Sequence, residues 1–147
     1  MSAITEPAQD ALEQLARTAH PLCFVCGRAG ECGLGLRFAL RDGGRVEACF
    51  KCAARLQGYE GVLHGGVTSS LLDGAMTNCL FAHGIAAVTA EITVRFRHPA
   101  RTHVPATVTA RIVRASPPLF VVEAELVQVG QVRAKATGKF MQRNERE

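Results

Sequence analysis

The pattern of apolar and polar positions divides the chain into two helices and about six strands. Residues 4–19 place apolar side chains at helical spacing, which predicts an amphipathic helix that ends at the Pro21 turn. Two apolar runs, Leu36–Leu40 and Val46–Leu56, flank the turn sequence Asp42-Gly43-Gly44. We therefore expect a β-hairpin after the first helix.

An uncharged segment follows the hairpin. Between Gly65 and His83 the only Asp, Glu, Lys or Arg residue is Asp73. The segment predicts a helix over Gly66–His83, about 27 Å long at roughly 1.5 Å per residue. Gly84 then supplies the left-handed cap that ends many helices.

Beyond the helix the apolar positions alternate, as in a strand with one buried face. The first such strand is predicted to turn Val88, Ala90, Ile92, Val94 and Phe96 inward and Thr89, Glu91, Thr93, Arg95 and Arg97 outward, and to end at Pro99. Three more strands are expected near 103–115, 119–129 and 131–141. The pattern predicts an α+β fold in which a one-faced antiparallel sheet of about six strands wraps around the apolar helix. We assign residues 1–22 to an N-terminal helix and lead-in, and residues 23–147 to a single domain.

Length and composition fit one globular domain. The 147 residues are 48% hydrophobic and 20% charged, and the longest apolar stretch is too short and too polar to cross a bilayer. The net charge is +4, but there is no basic block and only 5% of residues are aromatic, so we expect no nucleic-acid partner. The first twenty residues contain no apolar leader, and we expect a cytoplasmic location without membrane contact.

Six cysteines occur at Cys23, Cys26, Cys32, Cys49, Cys52 and Cys79. In a reducing compartment they are expected to be thiols or metal ligands rather than disulfides. Two Cys-x-x-Cys pairs, Cys23/Cys26 and Cys49/Cys52, make a four-cysteine zinc site the alternative to inert thiols. Because a strand would point Cys49 and Cys52 in opposite directions, we favour buried thiols and expect no metal.

The chemistry of the chain is suggested by Asp73 together with His64-Gly65-Gly66 at the start of the long helix. A carboxylate on such an apolar helix costs free energy unless something compensates it. A Gly-Gly helix start exposes backbone N–H groups that can bind developing negative charge. A base and an oxyanion donor suggest hydrolysis of an activated acyl group, and we expect burial to raise the pKa of Asp73. The alternative is a buried acid satisfied by local hydrogen bonds at an oligomer interface.

The spacing of these two groups implies more than one subunit. Gly65 and Asp73 are eight residues apart on one helix, or about 12 Å, which is too far for both to contact one carbonyl group. If both act on the same thioester, they come from different protomers, and the sequence predicts an isologous dimer with two shared sites.

Three neighbouring residues are further candidates for the site. Thr77 follows Asp73 by one helical turn, where its hydroxyl could hold water or bond back to its own turn. Thr89 begins the next strand and is a second candidate hydroxyl. His64 is either a general base or, in our preferred interpretation, the residue that fixes the loop.

The pattern Gly61-x-x-His64-Gly65-Gly66, with Asp73 nine positions after the histidine, resembles the hotdog-fold acyl-CoA thioesterases, and their PaaI-type phenylacetate-pathway branch most. The resemblance extends over nearly everything after residue 20. It includes Leu71-Leu72-Asp73, Thr77, the strand Thr89–Phe96, Pro99, Cys23-Phe24-Val25-Cys26-Gly27 and Gly33-Leu34.

The resemblance implies a hotdog fold and a role for each candidate residue. The Gly65 N–H would polarise the thioester carbonyl, and Asp73 would be the nucleophile or the general base. Thr89 would position water, with Thr77 assisting, and active sites would be shared across a homodimer or homotetramer. Relatives often carry Asn or Gln in place of Gly58, and Gln57 beside it is the candidate substitute.

The expected substrate is an acyl-CoA, with coenzyme A as part of the substrate and no separate cofactor. The candidate substrate-binding residues are Gly66, Gln57, Leu63, Arg95, Arg97, His98 and Arg101. The arginines and the histidine cluster at one strand end, where they could pair with the coenzyme A phosphates or simply form a solvated strand end.

Three other functions are weighed against acyl-CoA hydrolysis. A non-catalytic acyl-CoA or acyl-carrier sensor would use the same pocket but gains little from a buried acid. A hydratase of this fold would need a histidine–carboxylate dyad that the sequence does not show. A zinc-bearing scaffold is the third. The sequence leaves open the acyl group, dimer against tetramer, and nucleophilic against general-base attack.

Overall fold

The computed structural model describes residues 4–27 and 33–143. Its α-helices and strands, in chain order, are α1 (Gln9–Ala19), β1 (Ala39–Leu40), β2 (Val46–Phe50), α2 (Gly65–Ala82), β3 (Ala87–Phe96), β4 (Ala106–Ser116), β5 (Leu119–Gln128) and β6 (Gln131–Gln142). The strands form one six-stranded sheet in the order β1-β2-β4-β5-β6-β3, and every neighbouring pair is antiparallel. The predicted α+β class and strand count are confirmed.

The helix α2 is the centre of the core. From Leu71 to Ala82 only Asp73 is not fully buried. The inner face of the sheet packs against α2 through apolar side chains such as Val108, Val122 and Phe140, each 0% exposed. The N-terminal helix α1 packs on α2 from outside the sheet. A sheet wrapped around one long helix is the hotdog arrangement that the resemblance implied.

The first helix begins later than predicted. It starts at Gln9 rather than at residue 4, because Pro7 disfavours helical backbone at the residue before it. The preceding segment instead contacts the end of α2: the Ala8 N–H donates to the Ala82 carbonyl oxygen at 2.8 Å. The Thr5 hydroxyl donates to the His83 carbonyl oxygen at 2.7 Å.

The predicted hairpin forms, but both of its strands are shorter than predicted. Strand β1 keeps only two residues, because the Leu34 and Leu36 N–H groups donate to the carbonyl oxygens of Phe24 and Val25. Strand β2 ends at Phe50, opposite Ala106, where its partner β4 begins.

A β-bulge changes the predicted faces of β3. The register shifts between Thr89 and Glu91, so that Thr89 pairs with Phe140 and faces α2. The predicted inward orientation of Val88 and outward orientation of Thr89 are therefore wrong, and Val88 is 52% exposed. Ala90 is also exposed, whereas Ile92 and Val94 beyond the bulge are partly buried as expected.

Candidate active site

The first turn of α2 presents a backbone donor. His64 is the N-cap, and its Nδ1 accepts a hydrogen bond from the Gly66 N–H at 2.9 Å. The Val67 and Thr68 N–H groups both donate to the His64 carbonyl oxygen at 3.0 Å. Within residues 4–27 and 33–143, the Gly65 N–H has no such acceptor. The positive end of the helix dipole therefore has one amide available for a ligand.

A cavity of about 580 Å³ opens beside Gly65. Its lining residues are Gly58, Tyr59, Val62, Leu63, His64, Gly65, Thr68, Phe96, Arg97, His98, Pro99, Ala100 and Ala134. The walls are largely apolar, and Arg97 and His98 lie at one side.

The cavity includes some of the predicted substrate-binding residues and leaves out others. Leu63, Arg97 and His98 line it, whereas Gly66, Gln57, Arg95 and Arg101 do not. The Gln57 side chain is engaged elsewhere, because its Oε1 accepts a hydrogen bond from the Gly61 N–H at 3.2 Å.

Several lining residues are not among those predicted from the sequence. The exposed Tyr59 and Phe96 and the buried Thr68 all reach the cavity. Phe96 was predicted to face the core and is instead 56% exposed. The position of this aromatic residue at the end of the predicted strand, between Arg95 and Arg97, is the sequence signal that could have pointed to it.

Asp73 is held by a residue of β3. The Thr89 hydroxyl donates to Asp73 Oδ1 at 2.7 Å, a contact that the bulge in β3 makes possible. Burial raises the pKa of Asp73, as expected, and the hydrogen bond from Thr89 opposes that rise. Asp73 does not line the cavity at Gly65, and the two lie eight residues apart on α2.

Thr77 lies one turn beyond Asp73 and is 6% exposed. Its hydroxyl makes no hydrogen bond to any part of the chain that the structure describes, so the bond back to its own turn is absent there. Gly58 packs against His64: a Cβ there would lie 3.5 Å from the His64 Cα.

The cysteines do not form the four-cysteine set considered from the sequence. Cys49 is exposed on β2, while Cys52 is buried, with its sulfur 3.6 Å from the Gln128 amide nitrogen. Instead, Cys23 and Cys26 lie together with His20. The expectation of buried thiols is confirmed for Cys26, Cys52 and Cys79, but it is wrong for Cys49, which is exposed, and Cys23 is only half-buried. Hydrogen bonding with Cys26 and His20 lowers the pKa of the Cys23 thiol. Cys32 lies outside the described residues.

The thioesterase superfamily profile matches residues 60–135, just over half of the chain and including Gly65, Asp73 and Thr89. The chain belongs to the thioesterase superfamily.

Proteins of similar sequence or fold are consistent with membership of this superfamily. A 75-residue stretch is 33% identical to the acyl-coenzyme A thioesterase THEM4 of Bos taurus; it covers 49% of this chain and 30% of the bovine protein. The E. coli PaaI protein from the phenylacetic acid degradation operon has a similar fold, with a TM-score of 0.77 at 23% identity over 92% of this chain and 95% of that one. The smu.793 protein of Streptococcus mutans, solved bound to acetyl CoA, has a TM-score of 0.69 at 20% identity over 76% of this chain and 91% of that one.

The described helices of this thioesterase-superfamily chain include none that is long and apolar enough to cross a membrane.

Proposed function

We propose that the protein hydrolyses acyl-CoA thioesters. The observation that supports this most strongly is the unengaged Gly65 N–H at the positive end of α2, directly beside a largely apolar cavity. A donor aimed at the place where negative charge develops on a carbonyl oxygen is the usual means of stabilising acyl-transfer transition states. The acyl-coenzyme A thioesterase named among the similar proteins agrees with this chemistry.

We propose that Asp73 acts on the thioester bound at Gly65 of a second copy of the chain. The cavity at Gly65 does not contain the Asp73 carboxylate of its own chain, and along α2 the two lie about 12 Å apart. Strand β3, which holds Thr89, is a ten-residue strand at the edge of the sheet. An exposed edge of that length is a template for pairing with another strand, which suits a homodimer or a pair of such dimers.

Coenzyme A fits the polar side of the cavity. Arg97 and His98 lie there, and a guanidinium binds phosphate with paired, charge-assisted hydrogen bonds. The acyl group would occupy the apolar part, between Leu63 and Phe96. The neighbour solved with acetyl CoA supports a ligand of this class.

The proposed reaction places the thioester oxygen on the Gly65 N–H. The Asp73 carboxylate then either attacks the carbonyl carbon or takes a proton from the water that attacks it. The carbon–sulfur bond breaks, coenzyme A leaves as the thiolate, and water supplies the second oxygen of the free acid. Thr89 holds the carboxylate in place in either route.

The test compares Asp73→Asn with the wild type on a panel of aliphatic and aryl CoA thioesters, measured by thiol release. We expect kcat/KM to fall by about 10²-fold or more, while calorimetry shows coenzyme A binding unchanged. Asp42→Asn, which changes an exposed acid in a turn, is the matched control and is expected to keep full activity. A wild type that binds coenzyme A but hydrolyses no member of the panel would show a sensor instead of an enzyme.

A further inference from the structure

A cluster of metal-ligating side chains lies outside the cavity at Gly65, between the end of α1 and the segment that leads to β1, near enough to Asp73 for the charges to interact. It consists of His20, Cys23 and Cys26. One imidazole nitrogen and the two sulfur atoms all lie within 4.8 Å of one another. Cys26 is buried, and His20 and Cys23 are half-buried. The proposed hydrolysis uses none of the three.

The backbone around the two cysteines forms a tight turn. The Gly27 N–H donates to the Cys23 carbonyl oxygen at 2.8 Å. A Cβ at Gly27 would lie 2.5 Å from both the nitrogen and the oxygen of Cys23, so only glycine fits there. The Val25 N–H donates to the Cys23 sulfur at 3.4 Å. A backbone donor aimed at sulfur stabilises the thiolate, which is the form that binds metals.

The surroundings also hold the His20 ring and the backbone of Cys26 in position. The His20 ring makes an edge-to-face contact with Phe81, with ring centroids 5.0 Å apart, and its Nδ1 lies 3.9 Å from the Cys26 sulfur. The Arg37 guanidinium donates to the Cys26 carbonyl oxygen at 3.0 Å. Ligands that are oriented by their neighbours before the ion binds are typical of protein metal sites.

We propose that His20, Cys23 and Cys26 bind one zinc ion. Two thiolates and one imidazole form a ligand set that favours zinc among the divalent metals, and the His-x-x-Cys-x-x-Cys spacing suits a tetrahedral ion. Water would occupy the fourth position. On binding, each cysteine that still carries its thiol proton releases it to solvent, and the two thiolates neutralise the charge of the ion.

Zinc bound at this site would stabilise the contact between the N-terminal segment and α2. Val25, between the two cysteines, packs against Gly74 of α2: a Cβ at Gly74 would lie 2.5 Å from Val25 Cγ1. Gly74 is the neighbour of Asp73. An ion held at this turn would therefore fix the loop next to the acid without being part of the cavity at Gly65.

The test measures zinc in protein purified under reducing conditions, by elemental analysis and by thermal unfolding with and without a chelator. We expect one zinc per chain in the wild type, and a melting temperature that falls when the chelator is added. Cys23→Ser and Cys26→Ser are expected to lose the zinc and the chelator effect. Cys49→Ser, which changes an exposed thiol on β2, is expected to keep both.

Cobalt loading provides a second readout that does not depend on stability. The wild type and Cys49→Ser should show the charge-transfer absorption of cobalt–thiolate bonds, and Cys23→Ser should show less. A wild type that binds neither zinc nor cobalt, or a Cys49→Ser variant that loses both, would overturn the proposal. A Cys23–Cys26 disulfide found by mass spectrometry in the reduced, metal-supplemented protein would overturn it as well. Asp73→Asn keeps all three ligands and should still bind one zinc, so failure of the thioesterase test and failure of the zinc test can be told apart.

Discussion

At the residue scale, the pKa of Asp73 depends mainly on burial and on the Thr89 hydroxyl, and more weakly on the charges of Cys23 and His20, which act in opposite directions. Burial favours the neutral acid and raises the pKa of Asp73, whereas the Thr89 hydroxyl stabilises the carboxylate. A nucleophile or a general base must be ionised, so activity is expected to rise as the pH increases through the pKa of Asp73.

Replacing Thr89 with valine tests this balance. The hydrogen bond favours the charged form, so its loss raises the pKa of Asp73 further. The acidic limb of the kcat/KM profile should therefore move to higher pH in Thr89→Val. Thr93→Val, which changes an exposed threonine on the same strand, should leave the limb in place. A limb that stays unchanged or moves to lower pH in Thr89→Val would contradict the role given to Thr89.

The sequence could predict some of these residues and not others. Asp73 and Gly65 are visible because a lone charge and a Gly-Gly start stand out against an apolar helix. Gln128 is not visible, although it is 1% exposed and bonds to the backbone oxygens of Arg101 and Val104. Those partners lie more than twenty positions away in the chain, so no local sequence pattern indicates these hydrogen bonds.

At the scale of the elements, the turn that contains Val25 can contact α2 only because Gly74 of α2 has no side chain. Helix propensity alone would favour alanine over glycine at position 74 by about 1 kcal/mol. The close approach of Val25 to Gly74 reverses that preference, because an added methyl group has no space.

A double-mutant cycle measures this contact. Gly74→Ala is expected to lower the free energy of unfolding by about 1–3 kcal/mol through overpacking. Combining it with Val25→Ala should recover part of that loss, because the 2.5 Å contact with Cγ1 is removed while the Val25 Cβ stays 3.0 Å away. The measurement is urea unfolding of the wild type, both single variants and the double variant. Additive effects would show that the two residues do not compete for the same space.

Hydrophobic periodicity predicted every major element but not all of their ends or faces. Strand β1 is short because the chain before it bonds to the Phe24–Val25 backbone, a pairing between segments that periodicity does not report. The bulge in β3 inserts one residue into a regular alternation and exchanges the faces of Val88 and Thr89. The Cys-x-x-Cys spacing was visible in the sequence, but the structure pairs Cys23 and Cys26 with His20 rather than with the second cysteine pair.

At the scale of the whole molecule, the shared-site hypothesis predicts complementation between two inactive variants. Asp73→Asn lacks the acid, and Gly65→Pro lacks the amide hydrogen. Proline suits this position, because Gly65 is the first helical residue and His64 before it has φ −57° and ψ 133°. Gly65→Ala keeps the amide, and its Cβ would make an ordinary 3.6 Å contact with the Phe96 ring.

Mixed dimers of the two variants are purified with two different affinity tags. Each mixed dimer combines the intact Gly65 of one chain with the intact Asp73 of the other at one of its two sites. We expect about half of the wild-type activity per mixed dimer, and almost none in either parent. Gly65→Ala should stay largely active. Mixed dimers as inactive as their parents would show that both groups act within one chain.

The order of strands in the sheet has a consequence for biosynthesis. Among the described strands, β3 pairs only with β6, which is the last of them to leave the ribosome. A nascent chain that has already completed α2 and β3 therefore still lacks the neighbour that holds Thr89 opposite Asp73. Thr89 is held next to Asp73 only when β6 pairs with both β5 and β3. Translation must therefore pass the end of β6 before the growing polypeptide can form the Asp73–Thr89 pair.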